Sequence, residues 1–315
     1  MSAATANSVW PALPFEEWVD TCQTLHLWTQ IVGKIRLAST PWQNHSWHVP
    51  LYVTPRGLST STMWRDDRSF DIEFDFLAHK LAFAVSDGST RELELRSQSV
   101  ASFYLAVTTV LSELNLTTPI SDYPCEIASA LHFSKDEKQR TYNANHARRF
   151  WQALIPIDRI FKEFRGGFLG KASPSHFFWG SFDLAVTRFS GRTAPRFEGK
   201  VPGVAIEVMR EAYSHEVSSA GFWPGGNGID YPCFYSYAYP APAVFKFEAV
   251  SPKEAFFSEA LGEFLLPYDA VRLSSDPDAT LHEFLQSTYE AAARTAQWDR
   301  LALERPQGSR VLRRV

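Results

Sequence analysis

Between Arg210 and Gly225 the chain concentrates groups that could do chemistry: Arg210, Glu211, Tyr213, Ser214, His215, Glu216, Ser218 and Ser219, followed by Phe222, Trp223 and Pro224. Histidine is the side chain whose ordinary pKa lies nearest neutrality. His215 is therefore the candidate general acid or base, with Glu216 or Glu211 as its carboxylate partner. A strand here would place Tyr213, His215, Val217 and Ser219 on one face and Ser214, Glu216, Ser218 and Ala220 on the other. A core strand would fill those positions with Val and Ile. Burying the polar groups without partners would cost about 1–3 kcal/mol each, so they must satisfy one another or meet a ligand. The first alternative is a hydrogen-bond network that fixes two halves of the chain together. The second, preferred here, is a pocket floor.

The walls of such a pocket are aromatic. Trp179, Phe222, Trp223, Tyr235 and Tyr237 supply rings, Tyr213 and Asp183 add polar groups, and Arg188, Arg192 and Arg210 could clamp an anion. The expectation is a concave site bordered by His215 and Glu216, with at least one of those tryptophans or tyrosines and at least one of those arginines. Its ligand is expected to be small and anionic or aromatic, and the protein an enzyme working through His215. The alternatives are a non-catalytic ligand-binding or protein-interaction module, and a metal-dependent enzyme using His and Glu.

Other chemistries find less support. His45 and His48 are three apart, and strand alternation would turn them to opposite faces. Ser219 stands four residues after His215 where a zincin would need a second histidine. No metal site is expected. No Gly-x-Ser-x-Gly elbow occurs, and Gly225-Gly226-Asn227-Gly228 leads to Ile229-Asp230-Tyr231-Pro232 and not to a helix that could hold phosphate. No motif identifies a cofactor.

The elements that must position these groups are read from periodicity. Phe15, Trp18, Leu25, Trp28, Ile31 and Ile35 recur at helical spacing and predict a helix over 14–36. Further helices are predicted over 98–114, capped by Ser97, over 143–164, kinked or broken at Pro156, and over 279–300, capped by Asp278. Trp47, Val49, Leu51 and Val53 alternate with their neighbours, as do Phe70, Ile72, Phe74 and Phe76 with Asp71, Glu73 and Asp75. Leu81, Phe83 and Val85, a hairpin at Asp87-Gly88, and Leu93 and Leu95 complete an antiparallel meander with one wet face. In the second half strands are predicted over 176–189, 204–213, 214–222, 233–239, 243–249 and 256–265.

The two halves follow the same order, helix, antiparallel sheet, helix. They share letters at Leu27-Trp28 and Phe150-Trp151, and at Val53-Thr54 and Val186-Thr187. The fold class is therefore α+β, with two tandem similar halves packed around a shared cleft. The divisions are 1–132, a polar linker over 133–142, 143–305, and a flexible tail over 306–315. Residues 117–131 give no clear pattern.

Composition bounds the class. Hydrophobic residues at 45% and charged residues at 21% suffice for a full core. A net charge of −4 gives no broad positive field for nucleic acid. Three distant cysteines make no disulfide framework. No apolar run is long enough to span a membrane and Met1 to Ser8 shows no signal peptide, so a cytoplasmic location is expected. Oligomeric state is left open.

Four runs carry a specific resemblance: Asn44 to Thr54, His176 to Phe189, Arg210 to Gly225, and Phe234 to Pro240. Together they resemble an uncharacterised, mainly bacterial family, domain of unknown function 5996, over about 9–304. Ser46 stands where that pattern has an aromatic residue and Ala241 where it has an acid. The resemblance implies no particular activity.

Overall fold

The computed structural model describes residues 9–127, 129–226 and 228–306. In chain order the first elements are α1 (Phe15–Ser39), β1 (Tyr52–Val53), β2 (Gly57–Ser59), β3 (Met63–Arg65), β4 (Arg68–Asp75), β5 (Lys80–Val85), β6 (Thr90–Glu94), β7 (Gln98–Ser99), α2 (Val100–Glu113) and β8 (Gln139–Arg140). Then come α3 (Ala144–Gly166), β9 (His176–Phe178), β10 (Asp183–Thr193), α4 (Ile206–Ala212), β11 (His215–Trp223), β12 (Cys233–Tyr239), β13 (Phe256–Ser258), β14 (Glu263–Pro267), α5 (Tyr268–Arg272), α6 (Pro277–Thr295) and α7 (Arg300–Leu303).

The fold is α+β. One antiparallel sheet has the order β1-β2-β4-β5-β6, with β3 on β4; the other has the order β9-β10-β11-β12-β14-β13. They meet at one point. Leu51 and Phe177 exchange backbone hydrogen bonds of 2.8 and 2.7 Å, which sets β1 against β9. One hydrophobic core runs beneath both sheets. Trp28 of α1 stacks on Phe103 of α2 at 4.4 Å, and Trp18 stacks on Phe150 of α3 at 5.2 Å. Phe150 in turn stacks on Phe182 at 5.4 Å, beside the second sheet.

The alternation in β4 behaves as its sequence predicts on the core face: Phe70, Ile72, Phe74 and Phe76 are buried. On the other face Asp71 and Glu73 are half-buried, but Asp75 is buried. Its carboxylate accepts from the Leu77 and Ala78 amides, each at 2.9 Å, and pairs with Arg56 at 2.6 Å. Local hydrogen bonds thus replace water at the hairpin corner.

Several elements differ from the sequence reading. Residues 206–212 form α4, not a strand, because Glu207, Met209, Arg210, Glu211 and Ala212 are strong helix formers with no period-two pattern. Residues 243–249 hold only a 3₁₀ turn at Phe245–Phe247, after Pro240 and Pro242, which cannot donate to a ladder. The strand expected from Trp47 shrinks to β1, because Asn44–Ser46 form a 3₁₀ turn with His45 in the left-handed region. Ser99 and Asp276 cap α2 and α6, in place of Ser97 and Asp278. The run 133–142 carries the fully buried Phe133 and the strand β8, paired with β7. The expected tail lies, beyond Pro306, outside the described residues, as does Met1 to Ser8.

Phe74 has no exposed surface and stacks against Phe76 at 6.1 Å. Replacing it with Ala leaves a cavity in the shared core and should lower stability by about 3–5 kcal/mol. Urea denaturation should show this as a lower midpoint with an unchanged slope.

Candidate functional site

The second sheet is covered on both faces. On one face Leu184, Val186 and Arg188 of β10 turn with Phe222 and Phe234 towards α3 and α6. On the other, His176, Phe178, Asp183, Ala185, Thr187, Phe189, Val217, Ser219, Tyr235 and Tyr237 line a cavity of about 210 Å³. Its roof comes from elsewhere: His45 and Trp47 from the first half, Glu126 from the loop after α2, and Met209, Ala212 and Tyr213 at the end of α4.

Pairing across the sheet builds the floor. Gly221 of β11 stands between Ala185 of β10 and Tyr235 of β12. A Cβ on Gly221 would overlap the Tyr235 ring, so the missing side chain lets that ring lie across β11. The Tyr235 hydroxyl thereby donates to the Asp183 carboxyl, whose other oxygen accepts from Ser181 Oγ at 2.5 Å. One register step further, Thr187 and Ser219 bond at 2.8 Å. The Tyr213 and Tyr237 hydroxyls meet at 3.1 Å. Glu126 has a positive φ of 59°, and its carboxyl occupies the space a Cβ on Gly180 would take.

The electrostatics are unusual for so small a space. Burial pushes the Asp183 carboxyl up to about 6, against the lowering hydrogen bonds from Ser181 and Tyr235. Burial and the neighbouring Asp183 push Glu126 up to about 7 and Glu263, at the edge of the same cluster, up to about 8. Burial, with Arg36 nearby, pushes His176 down to about 3. His176 Nδ1 and Glu263 Oε2 have no hydrogen-bond partner among the described residues. Among the described residues neither arginine nor lysine lines the cavity, and no cluster of metal-ligating side chains occurs.

Of the residues singled out in sequence, Asp183, Tyr213, Tyr235 and Tyr237 come together here. His215 stands at the rim, its ring 6.0 Å from that of His45, with Nδ1 bonded to Ser214 at 3.0 Å. Glu216 turns to the opposite face and binds Ser190 and Arg192, at 2.8 Å and 2.6 Å. Adjacent strand residues cannot share a face, so His215 and Glu216 do not form a pair. Arg192 also donates to the last carbonyls around α6, those of Ala296 and Gln297. Arg188 is buried on the core face, its guanidinium 3.4 Å from the Phe164 ring centre and 4.3 Å from that of Tyr289. Arg210 pairs with Glu198 at 3.2 Å. Trp179 is buried and donates to the Val49 carbonyl at 2.8 Å, while Phe222 packs on Phe234 and Tyr268. Trp223 packs on Tyr235 at 4.4 Å, on the same face of β11 as Ser219, without lining the cavity.

Sequence reasoning placed none of Glu126, His176, His45, Thr187 and Ser181 in the candidate site. Glu126 lies in the stretch without a pattern, and no local signal marks it. His45, His176 and Thr187 lie in the runs that carry the family resemblance, which marks the runs without separating their faces.

The carboxyls and the histidines pull stability in opposite directions with pH. Asp183, Glu126 and Glu263 hold protons in the folded chain that the unfolded chain releases near pH 4. Their contribution is therefore greatest below about pH 4 and is lost as the pH rises through about 6, 7 and 8. His176 and His26, held down to about 3 and about 4, contribute above pH 6.5, and that contribution is lost as the pH falls through those values. Thermal melts from pH 6 to 8 should show a falling Tm in the wild type and a smaller fall in Glu126→Gln. An equal fall in both would remove Glu126 from this cluster.

No helix among the described residues is long and apolar enough to cross a membrane. Nothing matches among curated proteins or among solved structures. The model of one family, described as a family of unknown function (DUF5996), matches residues 10–305. With nearly every described residue inside that match, the chain belongs to the DUF5996 family.

Proposed function

We propose that this protein binds a small organic molecule carrying a cationic nitrogen, held in the cavity by Asp183 and Glu126 and by the rings of Tyr213, Tyr235 and Tyr237. One observation carries this reading: two carboxyls share a cavity whose lining, among the described residues, includes no arginine or lysine. Ionised carboxyls withdrawn from water need a counter-charge or a proton. A cationic ligand supplies the first, and tyrosine faces add attraction to it. The volume, about 210 Å³, lies below the roughly 300–1,000 Å³ of drug-sized sites, so the ligand is small. The anion expected from the arginines loses its support, since Arg188, Arg192 and Arg210 all point elsewhere.

A second reading, acid–base catalysis, is favoured by the raised pKa of Asp183 and Glu126 in one enclosure. In it the two carboxyls titrate as a coupled pair and take over the role first read for His215. Turnover would distinguish it from simple binding.

We also read the two halves as structural counterparts. In support, each runs helix, antiparallel sheet, helix, with α4 inserted between β10 and β11 of the second, and β1 meets β9 at one bridge. The letters shared at Val53-Thr54 and Val186-Thr187 do not coincide on this correspondence, since Thr54 lies just beyond β1 and Thr187 lies within β10. The cleft between the halves is then the place where the first half's turn, with His45, roofs the second half's sheet.

Thermal shift at pH 8 with alkylamines, alkylguanidines and carboxylates of matched length tests the binding reading. Cations should raise Tm by a few degrees, since a ligand at a hundred times its Kd adds about 2.7 kcal/mol. Asp183→Asn should abolish the rise. Stabilisation by the carboxylates alone would overturn the proposal.

A further inference from the structure

Just outside the opposite end of the same cavity stands a cation, Lys171, which is not among its lining residues. Lys171 Nζ donates to His45 Nε2 at 2.7 Å and lies 5.2 Å from the Trp47 ring centre and 5.0 Å from that of Phe189. His45, Trp47 and Phe189 all line the cavity, so Lys171 stands at its mouth. The geometry around His45 is held from two sides. Its backbone N–H donates to Glu211 Oε1 at 2.7 Å, and Nδ1 donates to the Ala212 carbonyl at 3.2 Å, which leaves Nε2 as the acceptor for Lys171. His45 and Ser46 both sit at φ 58°, a conformation non-glycine residues seldom adopt and one that marks functional sites when the surroundings enforce it. Lys171 makes no salt bridge among the described residues, although the Glu211 carboxylate, which accepts from the His45 amide, is near enough to act on its charge. The His215 ring stands beside His45.

Between the two ends lies an independent sign of a ligand. His176 is 1% exposed, lines the cavity, and its Nδ1 has no partner among the described residues. The ends are far apart. Asp183 and Phe189 both face the cavity from β10, six residues apart, or about 20 Å between Cα atoms at roughly 3.3 Å per residue. Side chains reaching inward shorten that span but do not close it.

We infer that the ligand is an elongated zwitterion, an ω-amino or ω-guanidino carboxylate, with its cationic nitrogen at Asp183 and Glu126 and its carboxylate at Lys171 beside His45. This rests on the cationic-ligand reading above and deepens it. A small α-amino acid, with both charges on one carbon, cannot reach both ends. Lys171 is a binding residue in this arrangement, and its ammonium gives up the His45 contact or shares it with the incoming carboxylate.

Calorimetric titration of the intact chain with ω-amino acids from aminobutyrate to aminooctanoate, and with the matching alkylamines and fatty acids, tests it. At the best chain length the amino acid should bind at least about tenfold more tightly than its amine. Lys171→Met should bring the two affinities together while leaving the amine's unchanged, and Lys171→Arg should restore the difference. If amine and amino acid bind the wild type alike, the zwitterion inference falls and the cationic-ligand reading stands. If only the fatty acids bind, or no member of the series does, both fall. A loss of amine binding in Lys171→Met would also overturn the inference, because it would place the ammonium, not the carboxylate, at Lys171.

Discussion

The reciprocal backbone bonds between Leu51 and Phe177 are the constraint on which the site depends. Each sheet would otherwise present an open edge, an unpaired row of donors and acceptors. The bridge between β1 and β9 pairs the two edges at one point, above the single hydrophobic core that the sheets share. It also carries the turn at Asn44–Ser46 over the second sheet, where His45 and Trp47 become the roof of a cavity whose floor is made by β10, β11 and β12. A bond between two chain segments more than 120 residues apart thus brings groups from both halves around one space.

The second sheet manages buried charge by separating it across its two faces. Asp183 and Arg188 lie on the same strand, five residues apart, and an odd interval sends them to opposite sides. Arg188 is held by the faces of Phe164 and Tyr289 and by a backbone carbonyl, a setting in which a flat, weakly hydrated guanidinium can be buried. Asp183 is held by hydroxyls from Ser181 and Tyr235. The two cannot neutralise each other. The cavity face therefore keeps acids without a basic partner among the described lining residues; Tyr235 donates to Asp183, and Tyr213 and Tyr237 satisfy each other.

The backbone is shaped around these side chains. Gly221 makes room for the Tyr235 ring and Gly180 for the Glu126 carboxyl, each by lacking a Cβ. His45 and Glu126 adopt left-handed backbone angles to enter the cavity from its roof. Local propensity does not favour such conformations, and tertiary contacts enforce them.

Much of the framework was legible in the sequence. The helices α1, α2, α3 and α6, the alternating strand β4, the hairpin at Asp87-Gly88 and the strands β11 and β12 all follow from periodicity, and the long runs from Asn44, His176 and Arg210 carry the family resemblance. Some errors about the site were avoidable from the same rule. Period two alone separates His215 from Glu216 and Asp183 from Arg188. Short-range pattern could not supply the rest. It says which residues share a face of a strand, but not which face is packed on helices and which faces a cavity. That was decided by where α3 and α6 lie against the sheet. Glu126 and His45 lie far from Asp183 in sequence and reach the same cavity only because the sheets join and the loop after α2 folds back, whereas Lys171 is brought to its mouth by backbone pairing beside Phe189 of β10. The sequence by itself determined most of the elements, the α+β class and the family. Only the tertiary structure decided which charges meet, because burial and its cost depend on neighbours that are distant along the chain.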